Sequence, residues 1–238
     1  MGKKGDKTMS VKENLDEIQD RVIRSAEKFG HSWEDIHLVA VTKFVDEDRI
    51  LQALDWGVKE VGENQVQEIE RKMEIFQGAQ VHMIGQLQSN KVRKLTHGVA
   101  LIQSIDRKSL LKEINRIGQR ENMIFKGLIQ VNNAKEEGKG GVYKEDLPEL
   151  LDYVESLDHV HIEGLMNIAP FLDDPEEVRP YFRDMRNLFE KISQISYNQI
   201  KMNILSMGMT HDYEVALEEG ANMVRIGRAI FGERDYSK

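Results

Sequence analysis

A short apolar run followed by a helical segment recurs along almost the whole of this 238-residue chain. Eight such runs, typical of buried strands, lie near residues 38–41, 60–61, 81–84, 100–105, 127–131, 161–166, 203–206 and 222–226. The segments between them have helical periodicity, near residues 46–55, 65–76, 90–95, 108–121, 144–157, 175–195 and 212–219. Regular alternation of this kind predicts a parallel sheet covered by helices.

Two parallel architectures fit this pattern, an open doubly wound sheet and a closed barrel. Eight units without a break in composition favour a single α/β domain with the (β/α)8 TIM barrel fold, which typically takes about 250 residues. No Gly-x-Gly-x-x-Gly follows the first strand, which argues against a dinucleotide-binding sheet. Apolar spacings of three and four over Val11–Phe29 predict an extra N-terminal helix, ended by Gly30. We expect residues 1–9 to be a disordered tail and residues 10–238 to form one barrel domain.

Composition narrows the range of partners. The formal net charge of −8 argues against a nucleic-acid groove or an anionic membrane surface. The absence of cysteine excludes disulfides, thiolate nucleophiles and Cys-ligated metals, and it suits a reducing cytoplasm. The histidines show neither His-x-x-x-His nor His-Glu-x-x-His spacing, so we predict no metal site. His82, within an apolar run, is interpreted as a hydrogen-bonded core residue.

In a barrel of this kind the chemistry lies at the carboxyl ends of the strands. The first strand ends at Lys43, which is either a solvated lysine at the start of a loop or a side chain projecting into the barrel mouth. In the second case, desolvation lowers its pKa, and the neutral amine can form a Schiff base with an aldehyde. Glu63, after the second strand, is either a general base or a carboxylate that stabilises the start of a helix.

The loops after strands seven and eight predict a phosphate site. Barrels of this class commonly bind phosphate there. Gly208 and Gly227 allow backbone N–H groups to approach an anion closely, and Ser206 and Thr210 add hydroxyl donors. The combination is more specific than either loop alone.

Together these stretches resemble the family of pyridoxal 5′-phosphate (PLP) homeostasis proteins, also described as alanine racemase N-terminal-domain-like. The matching motifs lie in family order at residues 38–43, 62–68, 84–91, 164–170, 205–212 and 224–232. The resemblance implies a fold-type III PLP barrel in which Lys43 is the Schiff-base lysine. It also implies a phosphate-binding loop formed by Ser206, Gly208, Met209 and Thr210. By the same resemblance, Arg225 and Gly227 complete the phosphate cup, and Asn64 lies near the face of the cofactor.

Two functions are compatible with this resemblance, a PLP carrier and a fold-type III amino-acid racemase. Racemisation needs two bases, and in the related racemases a C-terminal β-domain supplies the second, a tyrosine. This chain stops at Lys238, soon after the eighth strand, and Tyr143 and Tyr181 lie in predicted loop or helix positions. We therefore expect a monomeric, cytoplasmic, non-catalytic carrier that delivers PLP to apo-enzymes and binds neither nucleic acid nor membrane. Arg225 contacts either the pyridine nitrogen or the phosphate of the cofactor. A third hypothesis for the function is a class I aldolase-like barrel, which also has a Schiff-base lysine and a phosphate site.

Overall fold

The eight strands close into one parallel barrel in which each strand pairs with its neighbours in chain order and β1 pairs with β8. The computed structural model describes residues 9–96 and 98–232. The predicted tail therefore lies outside the described residues, apart from Met9. The strands are β1 His37–Val41, β2 Glu60–Glu63, β3 Gln80–Met83, β4 Val99–Ile105, β5 Phe125–Gln130, β6 Val160–Met166, β7 Ile200–Met209 and β8 Met223–Ile226. The prediction of a closed barrel rather than an open sheet is confirmed.

Helices follow the strands around the outside of the barrel. They are α1 Val11–Phe29, α2 Glu47–Trp56, α3 Val66–Lys72, α4 Lys108–Glu121, α5 Leu147–Glu155, α6 Arg179–Ser193, α7 Tyr213–Glu218 and α8 Arg228–Phe231. Within the described residues, 3-10 segments occur at Trp33–Asp35, Ser89–Leu95 and Pro175–Val178.

Some helix bounds differ from the predicted ones. Helix α5 begins later than predicted, with Pro148 in its first turn, where a missing N–H costs nothing because that group has no partner within the helix. The segment predicted as a helix near residues 90–95 is a 3-10 helix. None of these shifts changes the order of the strands.

The predicted N-terminal helix is present as α1, and it packs against the chain that follows β8. Ser10 and Glu13 form a capping box at its start, and Gly30 ends it in a left-handed conformation with φ of 95°. Its buried face packs against α2, α7 and α8. The Asn14 side chain also donates a hydrogen bond to the Ile230 carbonyl at 2.8 Å, so α1 is tied to the chain that follows the eighth strand.

The barrel interior is layered. An apolar layer contains Val39, Leu101, Leu128, Met166 and Met223. Side chains two residues apart on a strand share a face, so the residues two positions further on extend the interior towards the carboxyl ends. In β4 and β8 those residues are the buried polar side chains of Gln103 and Arg225, which places a polar layer above an apolar one.

His82 is joined to this polar layer, which confirms its interpretation as a hydrogen-bonded core residue. Its Nδ1 lies 3.0 Å from Nε2 of Gln103, and its exposed fraction is 2%. The Gln103 amide nitrogen can only donate, so Nδ1 accepts and the imidazole proton is on Nε2. Burial lowers the pKa of His82 to about 4, and it is therefore a neutral residue at neutral pH.

This lowered pKa predicts how stability depends on pH. The unfolded chain protonates His82 near its ordinary pKa of 6.5, whereas the folded chain resists until about 4. Stability contributed above pH 6.5 is therefore lost as the pH falls towards 4, by about 2–3 kcal/mol at pH 4.5. We expect His82→Gln to remove most of that loss, measured as the free energy of unfolding in urea at pH 7 and pH 4.5.

His37→Gln is the matched control. His37 is paired with Glu60, which raises its pKa, so its stabilising contribution is present below its ordinary pKa and is lost only as the pH rises through the raised value. Removing it should therefore not reduce the loss at acid pH. Equal losses in wild type and His82→Gln would contradict the assignment of a neutral, buried imidazole.

Candidate functional site

A cavity of about 310 Å³ opens at the carboxyl ends of the strands. Six of the eight residues predicted to bind the cofactor line it, namely Lys43, Asn64, Met209, Thr210, Arg225 and Gly227. Its volume falls at the lower end of the range for small-molecule sites, about 300–1,000 Å³. Ser206 and Gly208 are not among its lining residues.

Lys43 stands on a constrained turn directly after β1. The Val45 N–H donates to the Thr42 carbonyl at 3.1 Å, and Phe44 adopts a left-handed φ of 60° that non-glycine residues rarely take. The turn places the partly buried Lys43 in the lining of the cavity, whereas Phe44 is exposed. Of the two positions considered for Lys43, the structure has the one at the barrel mouth.

Glu63 has neither of the two roles considered for it. It is the last residue of β2, it is fully buried, and its carboxylate pairs with Lys72 of α3 at 2.7 Å. It also accepts a hydrogen bond from the Thr42 hydroxyl at 2.7 Å. It does not line the cavity, so it is a buried structural carboxylate rather than a base facing a ligand.

Asn64 is held at the cavity by close backbone packing. A Cβ atom added to Gly85 would lie 2.2 Å from the Asn64 carbonyl oxygen, a separation that no side chain can occupy. The Ile84 N–H donates to the Glu63 carbonyl at 2.9 Å, so the carboxyl ends of β2 and β3 remain hydrogen-bonded neighbours. Glycine at position 85 therefore permits the approach that fixes Asn64.

The structure extends β7 through Gly208 and Met209, which were predicted to lie in the following loop, and the end of the strand has the compact geometry that Gly208 predicted. Gly208 has φ of 90°, and a Cβ there would lie 2.6 Å from the Ala216 Cβ. The Met209 N–H donates to the Asp212 carboxylate at 2.6 Å, and the Ala229 N–H donates to the Thr210 hydroxyl at 3.4 Å. These bonds bring the loops after β7 and β8 together at one side of the cavity. Burial raises the pKa of Asp212 above its ordinary value.

Arg225 forms part of the cavity floor, and Ser206 supports it. One guanidinium nitrogen donates to the Ser206 hydroxyl and the other to the Asn167 carbonyl, the latter at 2.7 Å. The Ser206 hydrogen in turn goes to the Gln103 Oε1 at 2.7 Å. Burial lowers the pKa of Arg225 to about 10, while the Asp212 charge opposes that shift, so the guanidinium is cationic at neutral pH.

Sequence reasoning did not assign the cavity wall after β6 or the support beneath the floor. Ile168, Pro170 and Phe171 line the cavity, and the ring of the highly exposed Phe171 lies 5.2 Å from that of His211. Gln103, beneath the floor, was detectable as a polar residue inside an otherwise apolar strand.

No cluster of three potential metal-ligating side chains occurs within residues 9–96 and 98–232, and no helix there is long and apolar enough to cross a membrane.

Comparisons with known proteins identify the family. The family model described as "Alanine racemase, N-terminal domain" matches residues 13–235. A relative from Aquifex aeolicus, named pyridoxal phosphate homeostasis protein, is 43% identical over 230 residues, which cover 96% of this chain and all of the relative. A relative of the same name from Escherichia coli K12 is 36% identical over 234 residues, covering 96% of this chain and 98% of the relative.

Solved structures agree with the sequence comparison. PipY of Synechococcus elongatus, solved with PLP bound, has a TM-score of 0.80 and 30% identity, and the match covers 94% of this chain and all of that one. Alanine racemase from Bartonella henselae shares the fold at 13% identity with a TM-score of 0.70, over 96% of this chain and 60% of that one. By its family match and its full-length relatives, this chain belongs to the alanine racemase N-terminal domain family, in the branch of the pyridoxal phosphate homeostasis proteins.

Proposed function

We propose that this protein binds PLP at the barrel mouth through a Schiff base on Lys43 and takes part in PLP homeostasis by storing and delivering the cofactor. The observation that carries the proposal is a single cavity that brings the Lys43 amine together with the phosphate-compatible residues Thr210 and Gly227. The names of its full-length relatives and the PLP bound to PipY support the same function.

The chemistry of the cavity fits the functional groups of PLP. The cofactor supplies a reactive aldehyde on an aromatic ring that carries a dianionic phosphate. A primary amine suits the aldehyde, and a hydroxyl with a glycine-containing loop suits the phosphate. Arg225 and Arg228 add positive charge to the same lining. The cavity therefore offers a partner for each end of the molecule.

We assign different depths to the predicted contacts. We assign the phosphate to Thr210, Gly227 and the backbone around Met209, because they lie at the carboxyl ends of β7 and β8 at the cavity edge. Arg225 lies deeper, with its guanidinium fixed by Ser206 and Asn167, and we assign it to the pyridine nitrogen rather than to the phosphate. A cationic arginine there keeps that nitrogen unprotonated and weakens the ring as an electron sink.

Ser206 and Gly208 receive indirect roles. The Ser206 hydroxyl has Arg225 as donor and Gln103 as acceptor, so it orients the guanidinium instead of contacting phosphate. Gly208 allows the end of β7 to pack against α7. Both residues act by shaping the groups that line the cavity.

A carrier rather than a racemase is the activity we propose. The full-length relatives bear the name of homeostasis proteins. Among the described residues, none of those lining the cavity is a tyrosine, the residue type that acts as second base in the related racemases. We further propose that the protein acts as a monomer in the cytoplasm, with PLP-dependent apo-enzymes as recipients.

The cofactor assignment predicts a coloured protein. Wild type incubated with PLP should show a visible absorption band that borohydride bleaches, because a lysine Schiff base is reducible. Lys43→Ala should remove the band. Lys135→Ala is the matched control, since Lys135 is an exposed lysine paired with Glu145, and it should leave the band intact. A colourless wild type, or a band that survives in Lys43→Ala, would overturn the assignment.

The carrier proposal predicts transfer without turnover. Loaded protein should activate a PLP-dependent apo-enzyme while a scavenger of free aldehyde suppresses activation by an equal amount of free PLP. The loaded protein alone should not racemise or decarboxylate common amino acids, measured by chiral chromatography. Appreciable turnover that depends on Lys43 would favour the racemase instead, and activation abolished by the scavenger would exclude direct delivery.

A further inference from the structure

A buried ion pair lies behind the cavity wall, between the barrel and α3. The Lys72 ammonium is 2.7 Å from Glu63 Oε1 and 3.2 Å from Glu68 Oε2. The exposed fractions of the Lys72 and Glu63 side chains are 3% and 0%. Neither residue lines the cavity, and neither has a role in the binding proposed above.

Both members of the pair form hydrogen bonds with Thr42, the residue that precedes Lys43. Lys72 Nζ donates to the Thr42 carbonyl at 2.8 Å, and the Thr42 hydroxyl donates to Glu63 Oε1 at 2.7 Å. Thr42 is therefore fixed through both its backbone and its side chain. The same carbonyl also accepts from Val45 N–H and so belongs to the turn that presents Lys43.

The ion pair is also adjacent in sequence to a second residue of the cavity, because Glu63 directly precedes Asn64. In the same way, Thr42 directly precedes Lys43. Both Asn64 and Lys43 line the cavity. A single buried cluster thus fixes the ends of β1 and β2 relative to each other at the point where each strand delivers a side chain to the site.

Stability alone is a poor explanation for such a cluster. Removing two charges from water carries a large desolvation cost, and apolar residues of similar volume often stabilise a protein as well or better. Glu63 Oε2 adds to the cost, since it is buried with no hydrogen-bond partner among the described residues. The hydrogen bonds to Thr42, in contrast, are directional and define a geometry.

We propose that the Glu63–Lys72 pair is a positioning device that holds Thr42, and through it Lys43, in the orientation that reacts with the PLP aldehyde. The proposal rests on the PLP-binding function proposed above. A displacement of about 1 Å at a reacting group can lower a rate about 100-fold, so loss of this anchor should slow loading more than it changes the fold.

The test compares loading rates in matched variants. Stopped-flow absorbance follows the visible band after mixing apo-protein with PLP, or with pyridoxal, which lacks the phosphate. The disrupted variant is Glu63→Gln with Lys72→Met, which removes both charges and keeps side chains of similar length. Thr42→Val removes only the hydroxyl link and serves as a second variant should the double variant fold poorly.

Glu60→Gln is the control for a buried carboxylate lost from the same strand. Glu60 pairs with His37 at the opposite end of the barrel from the cavity. The Glu60→Gln variant should lower the urea midpoint of unfolding without changing the rate at which the visible band forms. We expect the double variant to load about 10–100-fold more slowly than this control with both aldehydes, and Thr42→Val also to load more slowly than the control.

Two results would overturn the proposal. One is loading of the double variant and Thr42→Val within twofold of the Glu60→Gln control. The other is slow loading with PLP but an unchanged rate with pyridoxal, since that would place the defect at the phosphate. Absence of any band in wild type would be a different failure, because it would remove PLP binding itself.

Discussion

The pairing of β1 with β8 is the constraint on which the rest of the site depends. Ala40 lies opposite Ile226 and Val39 opposite Arg225, so the first and last strands of the sheet are hydrogen-bonded neighbours. Closure therefore brings the turn at Lys43 beside the loop at Gly227, although the two are far apart in sequence. An open sheet with the same strands would leave these groups at different places along an edge, and no single cavity would contain both.

Closure also creates an interior in which polar groups must find partners. Arg225 can only donate hydrogen bonds, so Ser206 accepts from it, Gln103 accepts from Ser206, and His82 accepts from Gln103. Each step follows from the one before, and the proton positions are fixed throughout. The buried guanidinium is thereby held rigidly beneath the cavity while the layer below it stays apolar. Rigid support of this kind suits a site whose groups must keep a fixed geometry.

Much of this architecture could be predicted from the residues alone. The alternation of apolar runs with helical segments gave the eight strands in order, because a parallel strand buried on both faces reads as a continuous apolar run. The location of Lys43, Thr210 and Gly227 at the cavity was predictable, because the carboxyl ends of barrel strands lie together at one face of the barrel. The partners of Glu63 and Ser206 were not. Their environments depend on contacts with Lys72 and Arg225 across neighbouring elements, and a single sequence does not encode which side chains meet there.

We propose that PLP is attached covalently at Lys43 rather than merely bound in the barrel mouth. Borohydride reduction of the loaded protein, followed by proteolysis and mass spectrometry of the peptides, tests it most directly. We expect one reduced phosphopyridoxyl group per protein chain, on the peptide that contains Lys43. A modification distributed over exposed lysines, or located at a different single lysine, would contradict it.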